Sequence, residues 1–562
     1  MKEGSHGNAF TTYRVETRLV CNFLLRTRLQ SFHLTRDCHG KHRSSALVGM
    51  ADLYGLPDEL LLVVANCLRG DANTFQTGYS HLKHLALSCR KLRPIAQEVL
   101  HLEVAVVCSQ KVQGPTRVAC LARTLLQRPD LATKVRELHI GISSLRNEHS
   151  NSCAHWVPSY EQSCTCGLSK LLYCCVNFLR TAKAGDGLPL HNEKWALMLE
   201  GGQNAALARL ILCITSALRT LTLTYGDTSL FPRLGVEPLE DGEYVRFDEF
   251  IGSPSSHSIG GLSSLTRLVT RGFSPTHLLR SPQLQAARLS QLDDHRYEED
   301  LANLTRSQMK PDEVVSTTLT RLFIQTDPRA VCSDPATPVH GMHMYLTNMI
   351  RGLTNLTHLF ILFNDPFDDG YDFNDLPQIS YAHITSRLEN RSLTHLTLEF
   401  EDMGYQLAYE TMAESVLEYI HDMGPMTTFP GLPNLRNITA PQEAFFSADE
   451  DFETCNLPAA IESIGVVDST YETKRYIKYI LDNRARWPNL KLVELGEGTY
   501  DHLYERPDGS DDEDTSESGD EEWRQLFEVD DSIYGQAKSC GVRVEKVHDR
   551  TVWKKGWDDL NL

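Results

Sequence analysis

No stretch of this chain approaches about 18 consecutive apolar residues, which excludes an ordinary membrane-spanning helix. The apolar stretch Leu19–Leu25 is too short and too interrupted for a signal core, so nothing points to secretion. The sequence also lacks Gly-x-Ser-x-Gly, Gly-x-x-x-x-Gly-Lys-Ser/Thr, His-Glu-x-x-His and the kinase signature set. Nucleophile elbows, phosphate loops and zinc-protease helices are therefore missing, and a non-catalytic protein without a cofactor is expected. Positive charge is in short supply: 55 Lys and Arg face 74 Asp and Glu, a net −19. Such a chain is a poor default binder of nucleic acid, whose affinity rests on neutralising phosphates. Its 15 cysteines are odd in number and scattered, unlike the dense pairing of a disulfide scaffold. Reduced thiols in the cytoplasm or nucleus are expected.

What is present is ample for a large core: 562 residues, 41% of them hydrophobic. Length alone would allow about three or four domains. The charge is uneven. Residues 1–49 hold six Arg and two Lys against three acids, and 505–522 hold ten acids against Arg506. The basic stretch superficially matches a mitochondrial transit peptide, but an extension that does not fold is the better expectation. Met50, immediately before Ala51-Asp52-Leu53, is then the expected biological start. The acidic run is poor in hydrophobics and self-repelling, so a disordered loop is expected there. Ser510 and Ser518 within it each have an acid three positions on, as an acidophilic kinase requires.

From Leu53 to Val104 the pattern predicts three helices. The first starts with Pro57, followed by Asp58 and Glu59 at the positive end of the helix dipole, and places Leu60, Leu61, Val64 and Leu68 on one stripe. A polar break over Arg69–Ser80 leads to a second helix with Leu82, Leu85, Cys89 and Leu92, and Pro94 opens a third with Ile95, Val99 and Leu102. Leu56-Pro57-Asp58-Glu59-Leu60-Leu61, then Leu82…Leu85-Ala86-Leu87-Ser88-Cys89-Arg90, resembles the F-box. The link between the halves is longer than that family's, and Leu92 stands where Trp is common. The resemblance implies docking onto a Skp-family adaptor and, through it, a cullin in an SCF-type ubiquitin ligase. By position, it implies that Leu56, Pro57, Leu60, Leu61, Leu85, Cys89 and Ile95 face the adaptor or support that face. Core packing within the three helices is the competing role for each.

The remainder repeats. A Leu-x-x-Leu-x-Leu pattern, with other apolar residues allowed, recurs as Val135…Ile140, Leu218…Leu223, Leu265…Thr270, Leu319…Ile324, Leu356…Ile361 and Leu393…Leu398. Weaker copies start at Leu435, Ile461 and Leu490. Intervals run from 26 to 83 residues, mostly longer than the 20–29 of regular leucine-rich repeats. Several copies share a lead-in: Gly352-Leu353-Thr354-Asn355-Leu356, Gly431-Leu432-Pro433-Asn434-Leu435 and Trp487-Pro488-Asn489-Leu490. Helical spacing is readable at 117–128, 168–182, 203–217, 342–351, 408–422 and 473–486. The expected fold is α/β: a small all-α F-box module at 50–104, then an irregular leucine-rich-repeat-like solenoid at 105–562. Its parallel strands would line a concave face, with helices outside. The arrangement resembles fungal F-box proteins with degenerate repeats.

Two clusters invite a chemical role. Cys153, His155, Cys164, Cys166, Cys174 and Cys175 have zinc-type atoms but irregular spacing, and packed or loop cysteines are the expected alternative. On the repeats, the third and fifth pattern positions point away from the core. Arg267, Arg321, Phe323, His358, Phe360 and His395 there form a stripe of cations and aromatics suited to an acidic or phosphorylated target protein. Ordinary solvated strand residues are the alternative. A scaffold outside the ubiquitin system, its first helices merely capping the solenoid, is the competing function.

Overall fold

The computed structural model describes residues 56–69, 75–88, 90–107, 117–142, 199, 204–225, 260–271, 276–290, 314–326, 340–364, 381–400, 424–446, 452, 456–469, 471–497, 531–547, 551–554, 557 and 560. The 1–49 and 505–522 stretches, the cysteines between 153 and 175, and the helices expected at 168–182 and 408–422 lie outside them.

Three helices come first: α1 Asp58–Arg69, α2 Phe75–Ser88 and α3 Leu92–Leu102. Asp58 and Glu59 occupy the first turn of α1 and Arg69 its last, each complementing the helix dipole. The expected break at Arg69–Ser80 is shorter than read, because α2 already begins at Phe75. The third helix starts two residues before Pro94, which sits in the first turn where no backbone N–H is needed. Leu61, Ala65, Leu82, Ile95 and Val99 form a separate small core, with Leu56, Leu62, Leu68, Leu85, Leu92 and Leu100 packed around it.

Strand β1, Glu103–Val107, follows α3 without an intervening residue. Among the described residues it opens a sheet of twelve strands, all parallel and all in sequence order. The strands are β2 Glu137–Ile142, β3 Thr220–Tyr225, β4 Arg267–Arg271, β5 Ala286–Ser290, β6 Arg321–Thr326, β7 His358–Phe363, β8 His395–Phe400, β9 Asn437–Pro441, β10 Ser463–Ser469, β11 Leu492–Glu497 and β12 Arg543–Val547. This is the parallel α/β repeat architecture that the recurring pattern predicts. β1, β5 and β12 carry no recognisable copy. In β5 an alanine, Ala287, takes the central leucine position, so the 54-residue interval between two readable copies hides a strand.

Register runs straight across the sheet: Leu221, Leu268, Ala287, Leu322, Leu359 and Leu396 are successive partners at the second strand position. Second and fourth positions face the helices and build one continuous core. Burying each such leucine stabilises by about 1.5–3 kcal/mol. The helices of that layer are α4 Arg117–Gln127, α5 Pro129–Ala132, α6 Asn204–Ile214, α7 Gly260–Ser263, α8 Thr276–Leu279, α9 His340–Arg351, α10 Tyr381–Arg387, α11 Tyr471–Asp482 and α12 Asp531–Ser539. A short turn of helix, α13 Thr551–Lys554, comes after β12.

The shared lead-in has a structural cause. Asn355, Asn434 and Asn489 each donate Nδ2 to a carbonyl of the preceding repeat, on Thr317, Arg391 and Ala459, at 2.5, 2.7 and 3.3 Å. Buried Asn390 does the same at two carbonyls, Ile350 at 2.9 Å and Leu353 at 2.8 Å. Gly431 lets the backbone pass close: a Cβ there would lie 2.2 Å from the Leu388 carbonyl oxygen.

Candidate functional site

First, third and fifth strand positions form the sheet's other face. Register brings five of the six candidate target residues together: Arg321, His358 and His395 are partners on β6, β7 and β8, and Phe323 partners Phe360. Arg267 stands two strands away, separated from Arg321 by Ala286.

The aromatics are not open to solvent. Phe323 and Phe360 are both 0% exposed, because Trp557 and Leu560 pack over them. Val269, Ala286, Phe323, Phe360, Leu362, Trp557 and Leu560 form a second apolar cluster, on the opposite side of the sheet from the main core. The Phe323 and Phe360 centroids are 4.9 Å apart, and each ring meets Trp557 near edge-on, at 6.1 and 6.0 Å. Such pairs contribute about 0.5–1.5 kcal/mol beyond their buried area. Arg321 lies over Trp557 with Cζ 6.0 Å from the centroid.

Arg288, on β5, belongs to this site and carries no signal in the repeat pattern. Its Cζ lies 5.2 Å from the Phe323 centroid, its Nε donates to Ser290 Oγ at 3.0 Å, and its Nη1 reaches the Leu560 carbonyl at 3.5 Å.

The histidines do not extend a row of cations. His358 and His395 stack with centroids 4.0 Å apart and planes 12° apart. Thr357 Oγ1 and Thr394 Oγ1 lie 2.9 and 2.8 Å from their Nδ1 atoms, and Asn437 Nδ2 lies 2.7 Å from His395 Nε2. Both threonine hydroxyls donate onward to backbone carbonyls, so neutral rings protonated at Nδ1 satisfy the set. Burial pushes His358 down to about 4, assisted by His395 and Arg321. Burial also lowers His395, with Arg436 adding to it and Glu462 opposing. The stripe's positive charge at neutral pH therefore comes from its arginines.

Nearer β1 a cleft of about 690 Å³ is lined by Arg69, Arg136, Arg219 and Arg267, with Glu137 the only acid. Beside it, Glu103, Glu137 and His139 bring one ligand atom each within 4.8 Å of one another, the only such grouping among the described residues. Arg69 already pairs with Glu103 and approaches Glu137 at 3.8 Å, so a cation for these acids is supplied by the chain itself. Burial lowers the His139 pKa and, with Glu103, raises that of Glu137.

The candidate adaptor residues divide. Leu61 (1% exposed) and Ile95 (8%) are interior, Leu56 and Leu85 are half-buried, and Pro57 and Leu60 (50%) point outward. Cys89 lies outside the described residues. The inward stripe of α1 is Leu61, Ala65 and Leu68, turned by one residue from the expected Leu60, Leu61, Val64 and Leu68. Val63, Tyr79 and Leu87, at 47%, 47% and 66% exposed, join Leu60 as outward apolar side chains that spacing alone does not single out.

The class this geometry defines is a sequence-ordered parallel α/β repeat sheet with a three-helix unit at its first edge and one face partly covered by its own chain. No protein-family model matches the chain, and no curated protein matches it. Among the described residues, no helix is long and apolar enough to cross a membrane.

Proposed function

We propose that this chain is the substrate-recognition subunit of an SCF-type cullin-RING ubiquitin ligase. In this reading α1–α3 dock a Skp-family adaptor, and the repeat sheet holds a target protein in the cytoplasm or nucleus. The chain performs no chemistry itself. It raises the local concentration of target lysines near a ubiquitin-loaded enzyme carried elsewhere in the complex. The observation that supports this most is the pairing of an F-box-like sequence with outward apolar side chains on its first two helices, among them Leu60 at 50% exposure. A small helical unit with unburied leucine is suited to helix packing against a partner. The basic cleft ending at Arg267, at the starts of β2–β4, suits an acidic or phosphorylated target segment.

The test is co-purification. Adaptor and cullin should accompany the intact chain and be lost from Leu60→Asp, while its melting temperature stays unchanged. An intact chain that captures neither would sink the proposal.

A second reading, a scaffold whose first helices only cap the sheet, has its own support. α3 runs directly into β1, Arg69 pairs with Glu103, and Lys134 bridges to Glu98 at 2.7 Å. Failure of adaptor capture, with other proteins retained on the sheet, would favour it.

A further inference from the structure

We propose that the outward face of β5–β8, which Lys554, Trp557 and Leu560 cover, is a peptide-docking surface, and that these three residues are its exchangeable resident occupant. The partner it fits is a protein segment with a basic residue, an aromatic three positions later and a leucine three positions after that, as Lys554, Trp557 and Leu560 are spaced here.

The resident segment is held differently from everything else in the sheet. Its described residues add no strand to the sheet. Its own backbone bonds, Trp557 N–H to the Lys554 carbonyl at 3.0 Å and Leu560 N–H to the Trp557 carbonyl at 2.7 Å, form successive turns that put these side chains on one side. What ties it to the face is side chains. Trp557 and Leu560 complete the small apolar cluster, which is separate from the main core. Lys554 Nζ lies 3.8 Å from Glu399, whose side chain is 3% exposed, and Trp553 Nε1 lies 3.3 Å from a Glu494 carboxylate oxygen. The sheet makes room for this occupant: at Gly496 a Cβ would fall 2.4 Å from the Trp553 ring. Aromatic and aliphatic anchors at turn spacing, flanked by a cation over a buried acid, are the elements of helix-in-groove peptide recognition. Here the chain supplies both sides.

A tethered occupant competes at an effective concentration on the order of 1 mM. A free peptide that binds the bare face with a Kd of about 10 µM would then bind the covered face about 100-fold more weakly. The inference stands apart from the adaptor reading, because its test uses this chain alone.

The probe is a fluorescein-labelled peptide of residues 551–562, Thr-Val-Trp-Lys-Lys-Gly-Trp-Asp-Asp-Leu-Asn-Leu, read by anisotropy against the full-length chain and its Trp557→Ala/Leu560→Ala double variant. The double variant should keep a cooperative melt and bind the peptide at least tenfold more tightly than the unmodified chain. A peptide carrying alanine at the positions of Trp557 and Leu560 should not bind. Three outcomes would overturn the proposal. They are a double variant that loses its cooperative melt, a folded double variant that ignores the peptide, and equal binding by both proteins.

Discussion

The stacked imidazoles of His358 and His395 make acid a specific destabiliser of the middle of the sheet. An unfolded histidine titrates near 6.5, whereas burial, His395 and Arg321 together hold His358 at about 4. Between these values the unfolded chain binds a proton that the folded chain refuses. Stability on this account is fully present above about pH 6.5 and is lost as the pH falls toward about 4. Melting temperatures measured from pH 7 down to pH 5 should therefore decline, and His358→Gln should flatten the decline. An unchanged slope in that variant would exclude His358 as the source. The sequence marks both histidines as a pair through Leu-Thr-His-Leu at 356–359 and 393–396. It does not set their charge, which depends on the partner ring 4.0 Å away and on how much water reaches it.

Among the elements, α1 separates interior from surface within two adjacent leucines. Leu61 is 1% exposed inside the three-helix core and Leu60 is 50% exposed outside it. Leu61→Ala should cost about 2–5 kcal/mol, and Leu60→Ala should stay within about 0.5 kcal/mol. Urea unfolding of both variants checks this, and equal losses would mean that the helix is rotated from the orientation described. Helical spacing made the element legible, but with Leu60, Leu61 and Leu62 all apolar it fits more than one rotation about the axis. Packing against Leu82 and Val99 selects among them. The repeat strands were legible for the same reason wherever leucine filled the second and fourth positions. β5 was not, because alanine stands at its second position in place of leucine, and with it Arg288 was missed.

At the scale of the molecule, a sheet whose strands pair only with sequence neighbours has stability that is nearly a sum of repeat and interface contributions. Its two edges differ. Each pairs with one strand among those described, β1 with β2 and β12 with β11, but β1 also continues directly from α3 and carries the Arg69–Glu103 pair. Hydrogen exchange read by mass spectrometry should find β12 amides the least protected of the twelve strands, and stronger protection there than in β1 would contradict this edge asymmetry. The parallel α/β repeat architecture could be argued in advance because its information is local: a six-residue apolar pattern, a shared lead-in containing Asn, and helical spacing between copies. The same pattern identified the outward face and placed Arg321, Phe323, His358, Phe360 and His395 on it. It carried no sign that Trp557 and Leu560 would cover Phe323 and Phe360, from about 200 residues further along the chain. That contact repeats nothing and has no periodicity, so it emerges only when the folded sheet brings distant side chains within reach.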